Sequence, residues 1–382
     1  MESSSISLNN RPYLFENGQT ILDVAKYNGI DIPTLCHLDN AVSKGSCNIC
    51  VVELNGEKDL IQACSTKARS GMEIRTESPR VVAARKERLQ ILLESGNHNC
   101  SIGASQGSLW TQFQMEAIQM EATKMEETQA LCPRWGDCEL QDLAYRYQVQ
   151  WNRSKSPAWK FPKETVNPLI VRDFSRCILC GRCVTACNEI QVNQAIHMPE
   201  ESENQKIIAG LNDVALKDSD CVFCGECVQA CPVGALLEKK SEYKCRPWEI
   251  EKIRTTCPYC GVGCQQWLHV KEGKILKVTG VKEGAPNKGR LCVKGRFGFD
   301  FIYSKERLTT PLIKENGHFR EASWDEALDL VTEKFKTIIE ESGPDALAGV
   351  SCARSINEDS YQMQKLFRAV FKTNNIDHCA RT

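Results

Sequence analysis

The sequence predicts a multidomain α+β protein that is assembled from several small cysteine-rich modules. Its 382 residues exceed the usual length of one domain, so we expect several. Nineteen of its 22 cysteines fall into five groups along the chain. Between these groups, alternating apolar stretches predict short strands and periodic ones predict helices. The cysteine groups therefore indicate the domain organisation.

Charge and hydropathy limit the partners and the location. The 48 Lys and Arg balance 49 Asp and Glu, giving a net charge of −1, whereas nucleic-acid and anionic-membrane surfaces need a basic excess. No apolar run approaches the roughly 20 residues of a transmembrane helix, and residues 1–12 lack the features of a secretory signal. We therefore expect a cytoplasmic protein. In that reducing compartment disulfides are rare, and closely spaced cysteines favour metal centres.

Residues 1–78 predict a small mixed sheet with one helix and a cysteine-bearing loop. Strands are expected over 6–8, 13–15, Val51–Leu54 and Leu60–Ala63, and a helix over Ile21–Asn28 with Thr20 as its N-cap. The cysteines follow a C-x10-C-x2-C-x13-C spacing: Cys36, Cys47, Cys50 and Cys64. This pattern resembles the [2Fe–2S] domain of the complex I large iron–sulfur subunit and of iron-only hydrogenases, which implies a β-grasp ferredoxin fold with these four ligands. A zinc site is the alternative, but zinc ligands usually come as two close pairs.

Residues 79–145 predict a second module. Ser78 and Pro79 open a helix that is expected to run to about Ser95. A histidine and three cysteines come after it: His98, Cys100, Cys132 and Cys138. They resemble the His/Cys3 [4Fe–4S] motif of the same families, which implies that all four are ligands, although a lone histidine is more often a packed core residue. We interpret residues 101–131, which break the motif, as an insertion between ligands.

Residues 173–245, after an expected linker over 146–172, contain one cysteine pattern twice. The run C-x2-C-x2-C-x3-C spans Cys177–Cys187 and then Cys221–Cys231. Bacterial two-cluster ferredoxins have this run, and the fourth cysteine of each run ligates the other cluster. One [4Fe–4S] cluster is therefore assigned Cys177, Cys180, Cys183 and Cys231, and the other Cys221, Cys224, Cys227 and Cys187.

Residues 250–306 predict a further [4Fe–4S] domain. Its ligands are Cys257, Cys260 and Cys264 of the string CPYCGVGC, and Cys292. Gly261 and Gly263 allow the backbone to pass close to a cluster. The string resembles the amino-terminal domain of the molybdenum/tungsten bis-pterin oxidoreductases, and the stretch from Cys292 to Ile313 looks most like formate dehydrogenase. The resemblance implies that Lys294 lies between cluster and pterin as an electron relay; a solvated cation is the alternative.

Residues 307–382 predict the start of an open α/β domain, the molybdopterin domain of that family. We expect a helix over Trp324–Ser342 capped by Ser323, a buried strand over Ala346–Cys352, and a helix over Glu358–Phe371 capped by Asn357 or Ser355. The resemblance implies that Arg354 and Asn357 lie near the active site and its cofactor; helix capping is the alternative role of Asn357. The isolated Cys245, Cys352 and Cys379 are expected to be packing residues.

The resemblance also concerns the position after Thr382. One strand and two helices cannot cover a parallel sheet, so we expect a missing remainder. In formate dehydrogenases, the stretch like Asn374–Arg381 is followed, after one residue, by the metal-binding cysteine or selenocysteine. A selenocysteine codon is translated as a stop by a simple reading of the gene. We therefore interpret the chain as the front of a selenocysteine formate dehydrogenase alpha subunit; a short carrier or a gene fragment is the alternative.

The assigned ligands imply one [2Fe–2S] and four [4Fe–4S] clusters that act in series. Electrons from formate at a Mo- or W-bis-molybdopterin guanine dinucleotide would pass Lys294, the Cys257 cluster, the two ferredoxin clusters and the His98 cluster, and leave by the Cys36 cluster. The expected partners are formate or CO2 and a flavin/NAD(P)-binding or hydrogenase-type subunit, or a ferredoxin. Such thiolate clusters predict an oxygen-sensitive, anaerobic protein, and the truncated chain alone is expected to lack formate turnover.

An iron–sulfur carrier subunit of complex I or of an NAD-reducing hydrogenase is the main alternative. It shares the pattern of residues 1–240. A pure carrier has no need of the CPYCGVGC string, although the complex I subunit keeps a relative of that domain. An iron-only hydrogenase and a nitrate reductase fit the pattern less well.

Overall fold

The computed structural model describes residues 4–96, 98, 132–149, 161–198, 206–210 and 213–379. The predicted insertion and Cys100 lie outside these residues. The chain divides into two compact units, Met1–Ile250 and Glu251–Thr382. The division falls where the sequence predicts the start of the CPYCGVGC domain.

The first unit begins with a five-stranded mixed sheet in the order β2-β1-β5-β3-β4. Its elements are β1 (Ser5–Leu8), β2 (Arg11–Leu14), α1 (Ile21–Tyr27), β3 (Val51–Leu54), β4 (Ile61–Gln62) and β5 (Glu73–Arg75). Asn9 and Asn10 have φ of 51° and 67°, as a two-residue type I′ hairpin requires. Thr20 caps α1 in a capping box with Asp23. The predicted strands and helix are therefore confirmed, with ends shifted by a few residues.

Among the described residues, the sheet is followed by the helices α2 (Pro79–Glu94) and α3 (Glu139–Arg146). The Ser78 hydroxyl accepts a hydrogen bond from the Val81 N–H at 3.3 Å, and Pro79 occupies the first turn. This confirms the predicted helix start. Leu89 and Leu93 are fully buried on its apolar face. The face therefore fixes α2 in the core of the unit.

The remainder of the first unit repeats one small motif. It contains β6 (Ile170–Arg172), α4 (Arg182–Thr185), β7 (Ile196–His197), β8 (Ile208–Ala209), α5 (Glu226–Ala230) and β9 (Leu236–Glu238). β6 pairs with β9 and β7 pairs with β8, both antiparallel. Gly181 and Gly225 precede α4 and α5 with φ of 74° and 73°. The linker was expected over residues 146–172, but its last three residues form the buried strand β6 and belong to this module.

The second unit opens with a three-stranded antiparallel sheet. Its strands are β10 (Glu251–Thr256), β11 (Gln265–Lys271) and β12 (Lys274–Gly280), and α6 (Val293–Phe297) comes next. Val278, Leu291 and Phe299 form its buried core. Any Cβ at position 280 would collide with the Gly289 carbonyl group, so a glycine is needed where β12 meets that loop. The sheet places both ends of the CPYCGVGC loop on adjacent strands.

The end of the second unit contains the predicted helix and strand. Its elements are β13 (Leu312–Glu315), β14 (His318–Glu321), α7 (Trp324–Ser342), β15 (Gly349–Ser351), α8 (Asn357–Lys365) and β16 (Ile376–His378). Ser323 caps α7 as predicted, by accepting from the Glu326 N–H at 3.1 Å. The expectation that Ala346–Cys352 is a buried strand is wrong in part: only Gly349–Ser351 is a strand, and Val350 is 74% exposed. Within the described residues β15 pairs only with β16, so its other edge is left without a neighbouring strand.

The last predicted helix starts one residue early. It begins at Asn357 and continues beyond Lys365 as a wider π-type turn to Phe371. Its N-cap is Ile356, which has no capping side chain. The interpretation of Asn357 or Ser355 as the cap is therefore wrong, because each side chain bonds elsewhere. In the described part of the chain, no helix is both long and apolar enough to cross a bilayer.

Candidate metal centres

The first centre lies in the long loop between α1 and β3 and at the end of β4. Its four cysteines are buried: Cys36, Cys47, Cys50 and Cys64. A hydrogen bond from the Cys47 thiol lowers the pKa of Cys36 to about 5, and one from Cys50 lowers the pKa of Cys64 to about 7. The pKa values of Cys47 and Cys50 are raised in turn. The structure thus brings together all four predicted [2Fe–2S] ligands.

Two arginines of α2 hold this loop through its carbonyl groups. Arg85 is fully buried and donates to the Ile49 carbonyl at 3.0 Å and to the Val51 carbonyl at 2.8 Å. Arg88 donates to the Cys47 carbonyl at 2.9 Å and to the Ser46 carbonyl at 3.2 Å. Charge-assisted hydrogen bonds are the strong ones, so these contacts fix the segment that carries Cys47 and Cys50.

The buried guanidinium of Arg85 also binds the side chains of Glu77 and Tyr147. Its guanidinium contacts Glu77 and the Tyr147 hydroxyl, each at 2.7 Å. Tyr147 also donates to Glu77 at 3.0 Å. Because Tyr147 directly follows α3, this network joins the [2Fe–2S] sheet to the second module.

The second centre contains a buried histidine. His98 is 4% exposed, and its Nε2 has no hydrogen-bond partner among the residues that the structure describes. Burial, with the nearby Arg176 charge, lowers the pKa of His98 to about 4. The ring is therefore neutral at physiological pH, which is the form that ligates metals. Gly96 leaves room beside the ring, because a Cβ there would lie 2.5 Å from the Ser175 carbonyl oxygen and 3.1 Å from the His98 Nε2.

Cationic side chains surround the cysteines of this second centre. Cys132 and Cys138 are buried. Arg134 and Arg176 both interact electrostatically with Cys132, and Arg246 donates to its carbonyl at 2.9 Å. Nearby positive charge favours the more negative, reduced state of a redox centre. Cys100, the remaining predicted ligand, lies outside the described residues.

The repeated cysteine runs form two sets that cross over between the runs. The Cys183 thiol has a raised pKa through burial and through Cys180, Cys177 and Cys231. Burial also raises the pKa of the Cys221 thiol, which interacts electrostatically with Cys224 and Cys187. Each run thus lies beside the last cysteine of the other, in the arrangement that the two-cluster ferredoxin spacing predicts.

Local backbone geometry repeats in the two runs. The Leu179 N–H donates to Cys177 Sγ at 3.4 Å, and the Phe223 N–H donates to Cys221 Sγ at 3.4 Å. Both Leu179 and Phe223 adopt a left-handed φ, of 54° and 53°. Amides that point at sulfur stabilise thiolate charge and tune a cluster. The sequence repeat is therefore also a structural repeat at the ligands.

The loop of the first centre contacts the ferredoxin module directly. Ser46, next to Cys47, donates to the Cys180 carbonyl at 3.4 Å. The Val42 N–H donates to the Glu189 carboxylate at 3.2 Å. The second module also contacts the ferredoxin module, since the Glu139 N–H donates to the Pro232 carbonyl at 3.0 Å. Sequence order did not reveal that the first centre neighbours the Cys180 cluster set.

The fifth centre lies on the second unit, where the CPYCGVGC loop joins β10 to β11. The Cys257 N–H donates to the Cys264 carbonyl at 2.8 Å, which closes the loop. Cys264 interacts electrostatically with Cys257, Cys260 and Cys292. Asn287 holds the segment before Cys292, accepting from the Gln265 N–H at 2.9 Å and donating to the Arg290 carbonyl at 2.8 Å. The four predicted ligands are therefore neighbours.

Of the three residues that the resemblance implies near the pterin, Lys294 and Asn357 lie beside this centre. Lys294 is exposed in α6, two residues after Cys292. Asn357 donates to the Gly261 carbonyl at 2.6 Å, so it fixes the cluster loop instead of capping α8. Arg354 is exposed, and its backbone N–H donates to Cys352 Sγ at 3.3 Å.

The donor sets fit iron–sulfur clusters in their chemistry. Every set consists of cysteine thiols, one with a histidine, and these are the ligands that such clusters use. In the described ranges, no three histidine, cysteine or carboxylate side chains are placed to hold one single ion. The fit therefore rests on the donor types, on their shared electrostatics and on the buried Nε2 of His98, for which the described part of the chain offers no hydrogen-bond partner.

Comparison with known families matches four successive parts of the chain. Residues 2–79 match a 2Fe-2S iron-sulfur cluster binding domain, 176–235 a 4Fe-4S dicluster domain, 250–304 the molybdopterin oxidoreductase Fe4S4 domain and 307–382 the molybdopterin oxidoreductase family. These matches confirm the predicted fold class and four of its predicted modules, whereas the His/Cys3 module over residues 79–145 stays a prediction.

Two curated relatives match almost the whole chain. A subunit of the NADH-quinone oxidoreductase of Rhizobium meliloti (strain 1021) is 32% identical over 96% of this chain and 39% of its own length. A Staphylococcus aureus (strain USA300) protein named "Putative formate dehydrogenase" is 32% identical over 98% of this chain and 39% of its own length. The chain thus spans about two fifths of these relatives.

A solved structure resembles part of the fold. One chain of the crystal structure of NAD+-reducing [NiFe]-hydrogenase in the H2-reduced state aligns with a TM-score of 0.51 and 26% identity, covering 64% of this chain and 91% of that chain. Together with the family matches, these similarities show that the chain combines iron–sulfur cluster domains with a molybdopterin oxidoreductase domain.

Proposed function

We propose that the chain is the electron-transfer front part of a formate dehydrogenase, with one [2Fe–2S] and four [4Fe–4S] clusters. The main support is the centre formed by Cys257, Cys260, Cys264 and Cys292. Its loop is bonded to Asn357 at the start of the molybdopterin domain, and Lys294 lies beside its fourth cysteine. A bound Mo- or W-pterin would supply two-electron formate chemistry there. The chain's own residues would hold the clusters that carry the electrons away.

Within the first unit, contacts between modules support a route with two branches. Ser46 joins the [2Fe–2S] loop to Cys180, and Glu139 of the second module bonds both the Pro232 carbonyl and Arg182. We infer that the Cys36 and His98 clusters each exchange electrons with the ferredoxin module. Electrons would then reach the [2Fe–2S] exit without having to pass through the His98 cluster first.

Formate-driven cluster reduction tests this function. The full-length native protein, purified without oxygen, should lose the visible absorption of its oxidised clusters when formate is added. The Lys294→Ala variant should slow that loss while leaving reduction by dithionite unchanged, because only the relay is altered. Lys282→Ala, which removes an exposed lysine of the same unit, is the matched control and should behave as wild type. Bleaching by dithionite but not by formate would contradict the proposal.

A carrier subunit of an NADH-quinone oxidoreductase or an NAD-reducing hydrogenase is the second candidate function. The similarity to the Rhizobium meliloti NADH-quinone oxidoreductase chain and to the NAD+-reducing [NiFe]-hydrogenase structure favours it. In that case the clusters should be reduced by NADH through a co-purifying flavin subunit, and formate should have no effect.

A further inference from the structure

Two of the predicted [4Fe–4S] centres lie on adjoining segments of the first unit. We call them the His98 set and the Cys177 set. The Glu139 N–H, directly after the last ligand of the His98 set, donates at 3.0 Å to the Pro232 carbonyl, directly after the last cysteine of the Cys177 set. The first set consists of His98, Cys100, Cys132 and Cys138, and the second of Cys177, Cys180, Cys183 and Cys231. A charge placed where these segments meet acts on both sets.

Two arginine side chains meet at this junction. Their stems pack against Gly234, because a Cβ there would lie 3.3 Å from Arg134 Cγ and 3.5 Å from Arg176 Cδ. Arg134 comes from the segment between the last two cysteines of the His98 set, and Arg176 directly precedes the first cysteine of the Cys177 set. Each set thus contributes one arginine to the junction.

The charge of each arginine reaches a ligand of the opposite set. Arg134 interacts electrostatically with Cys231 of the Cys177 set as well as with Cys132 of its own set. Arg176 is 4% exposed, its Nε donates to the Asp173 carboxylate at 2.9 Å, and its charge interacts with Cys132. The two cations are therefore shared between the sets.

Arg134 also has a buried donor for which the described residues offer no acceptor. Its side chain is 19% exposed, and a terminal nitrogen lies 3.6 Å from the Asp137 carboxylate. Its Nε, by contrast, is fully buried and has no hydrogen-bond partner in the described part of the chain. Buried donors normally have partners, and hydrogen bonds to sulfur tune the potential of a cluster. The Nε–H therefore suits the sulfur of a cluster that these ligands hold.

We propose that Arg134, together with Arg176, is a cationic bridge that raises the reduction potentials of the His98 and Cys177 clusters together. Positive charge favours the reduced state, which carries one more negative charge. It also offsets the repulsion between two neighbouring reduced clusters. The arginines are positioning residues, since they ligate no iron. The inference rests on the cluster assignment of the proposed function and is independent of its substrate.

The bridge serves the exchange of single electrons between the two clusters. One cluster is oxidised as its neighbour is reduced by the same electron. An arginine side chain stays protonated in proteins, so no proton is taken up or released by the bridge. Because the shared charge raises both potentials, the difference between them changes little and exchange stays open in both directions.

A redox titration of the full-length native protein tests the bridge. The protein is titrated without oxygen with dithionite and mediators, and each cluster is followed by electron paramagnetic resonance. The His98 transition is identified as the one whose spectrum changes in His98→Cys. Failure of formate to reduce the protein would contradict the proposed function and leave this test unaffected, because dithionite supplies the electrons.

Removing the charge of Arg134 should move two transitions at once. Arg134→Gln should lower the reduction equilibrium of the His98 cluster and of one other cluster about tenfold, which is about 59 mV for one electron. Arg134→Lys, which keeps the charge, should restore both. Arg75→Gln, at an exposed arginine of β5, is the matched control and should titrate as wild type. Iron and acid-labile sulfide must equal the wild-type content in each variant.

A second variant shifts the potentials in the opposite direction. Asp137→Asn removes the carboxylate beside Arg134 and leaves its charge less compensated, so both potentials should rise. This variant decides the question if Arg134→Gln loses iron. A shift of the His98 transition alone, of no transition or of every transition equally would overturn the proposal. Failure of Arg134→Lys to restore the potentials would show that the charge is not the cause.

Discussion

Among single side chains, the burial of His98 supports its predicted role as a ligand. A buried imidazole normally has hydrogen-bond partners, and the Nε2 of His98 has none among the described residues. The same burial holds the pKa at about 4, so the ring stays neutral. From the sequence, His98 could be predicted as a ligand only because it precedes Cys100 in the order of the His/Cys3 motif. Arg85 and Arg88 were missed because the backbone carbonyl groups that they hold have no sequence signature.

Replacing His98 should change one cluster and spare the others. His98→Cys supplies a fourth thiolate, whose added negative charge should lower the reduction potential of that cluster while iron content stays constant. His98→Ala should lose the cluster, about four iron atoms per chain. The potentials are measured by a redox titration followed by electron paramagnetic resonance. His318→Ala, at an exposed histidine of β14, is the control. Unchanged potentials in His98→Cys would mean that the histidine is not a ligand.

Among the helices and strands, local signals predicted helix starts better than strand partners. Thr20, Ser78 and Ser323 cap the helices that the sequence assigned to them. Asn357 does not, because its amide instead bonds Gly261, which is 96 residues away in the sequence. The sheet of β10–β12 and the strand β16 were not predicted, since their pairing depends on distant segments and not on a local pattern.

Removing Arg85 should loosen the [2Fe–2S] loop. Arg85→Met leaves the Ile49 and Val51 carbonyls without their donor, at a cost of about 1–3 kcal/mol for each buried group left unsatisfied. The [2Fe–2S] signal should therefore disappear at a lower guanidinium concentration than in wild type. Lys86→Met, at an exposed position of the same helix, is the matched control. Equal midpoints for Arg85→Met and Lys86→Met would show that the contacts do not stabilise the loop.

Removing the Asn357 amide should weaken the attachment of the CPYCGVGC loop. Asn357→Ala deletes one hydrogen bond to the Gly261 carbonyl, worth about 0.5–1.5 kcal/mol. Cluster loss from the second unit on exposure to air should become several-fold faster. Gln362→Ala, an exposed residue of the same helix, should show the wild-type rate. The contact has no role in holding the loop if both variants lose the cluster equally slowly.

Across the whole chain, the clusters are expected to hold the small modules together. Metal binding supplies folding free energy when a site does not exist in the unfolded chain. The ferredoxin part contains only two-stranded sheets and helices of four or five residues within the described ranges. The assignment of its cysteines to two clusters could be predicted from their spacing. The hydrogen bond between Ser46 and the Cys180 carbonyl could not, because this contact joins two separate modules.

Iron removal should therefore unfold the first unit. Incubation of the reduced protein with a strong iron chelator should abolish much of its far-ultraviolet circular dichroism and expose residues 1–250 to protease. The same chelator saturated with iron beforehand is the control. A circular dichroism spectrum that persists after complete iron loss would show that the unit folds without its clusters.

Cluster content is the property on which the proposed electron route depends, since twenty ligands are assigned to five clusters. It is measured as iron and acid-labile sulfide per chain in the anaerobically purified full-length protein. We expect about 18 of each, roughly two from one [2Fe–2S] cluster and roughly sixteen from four [4Fe–4S] clusters. Electron paramagnetic resonance of the reduced protein should show both cluster types. Zinc in place of iron, or iron for only two or three clusters in undamaged protein, would refute the assignment.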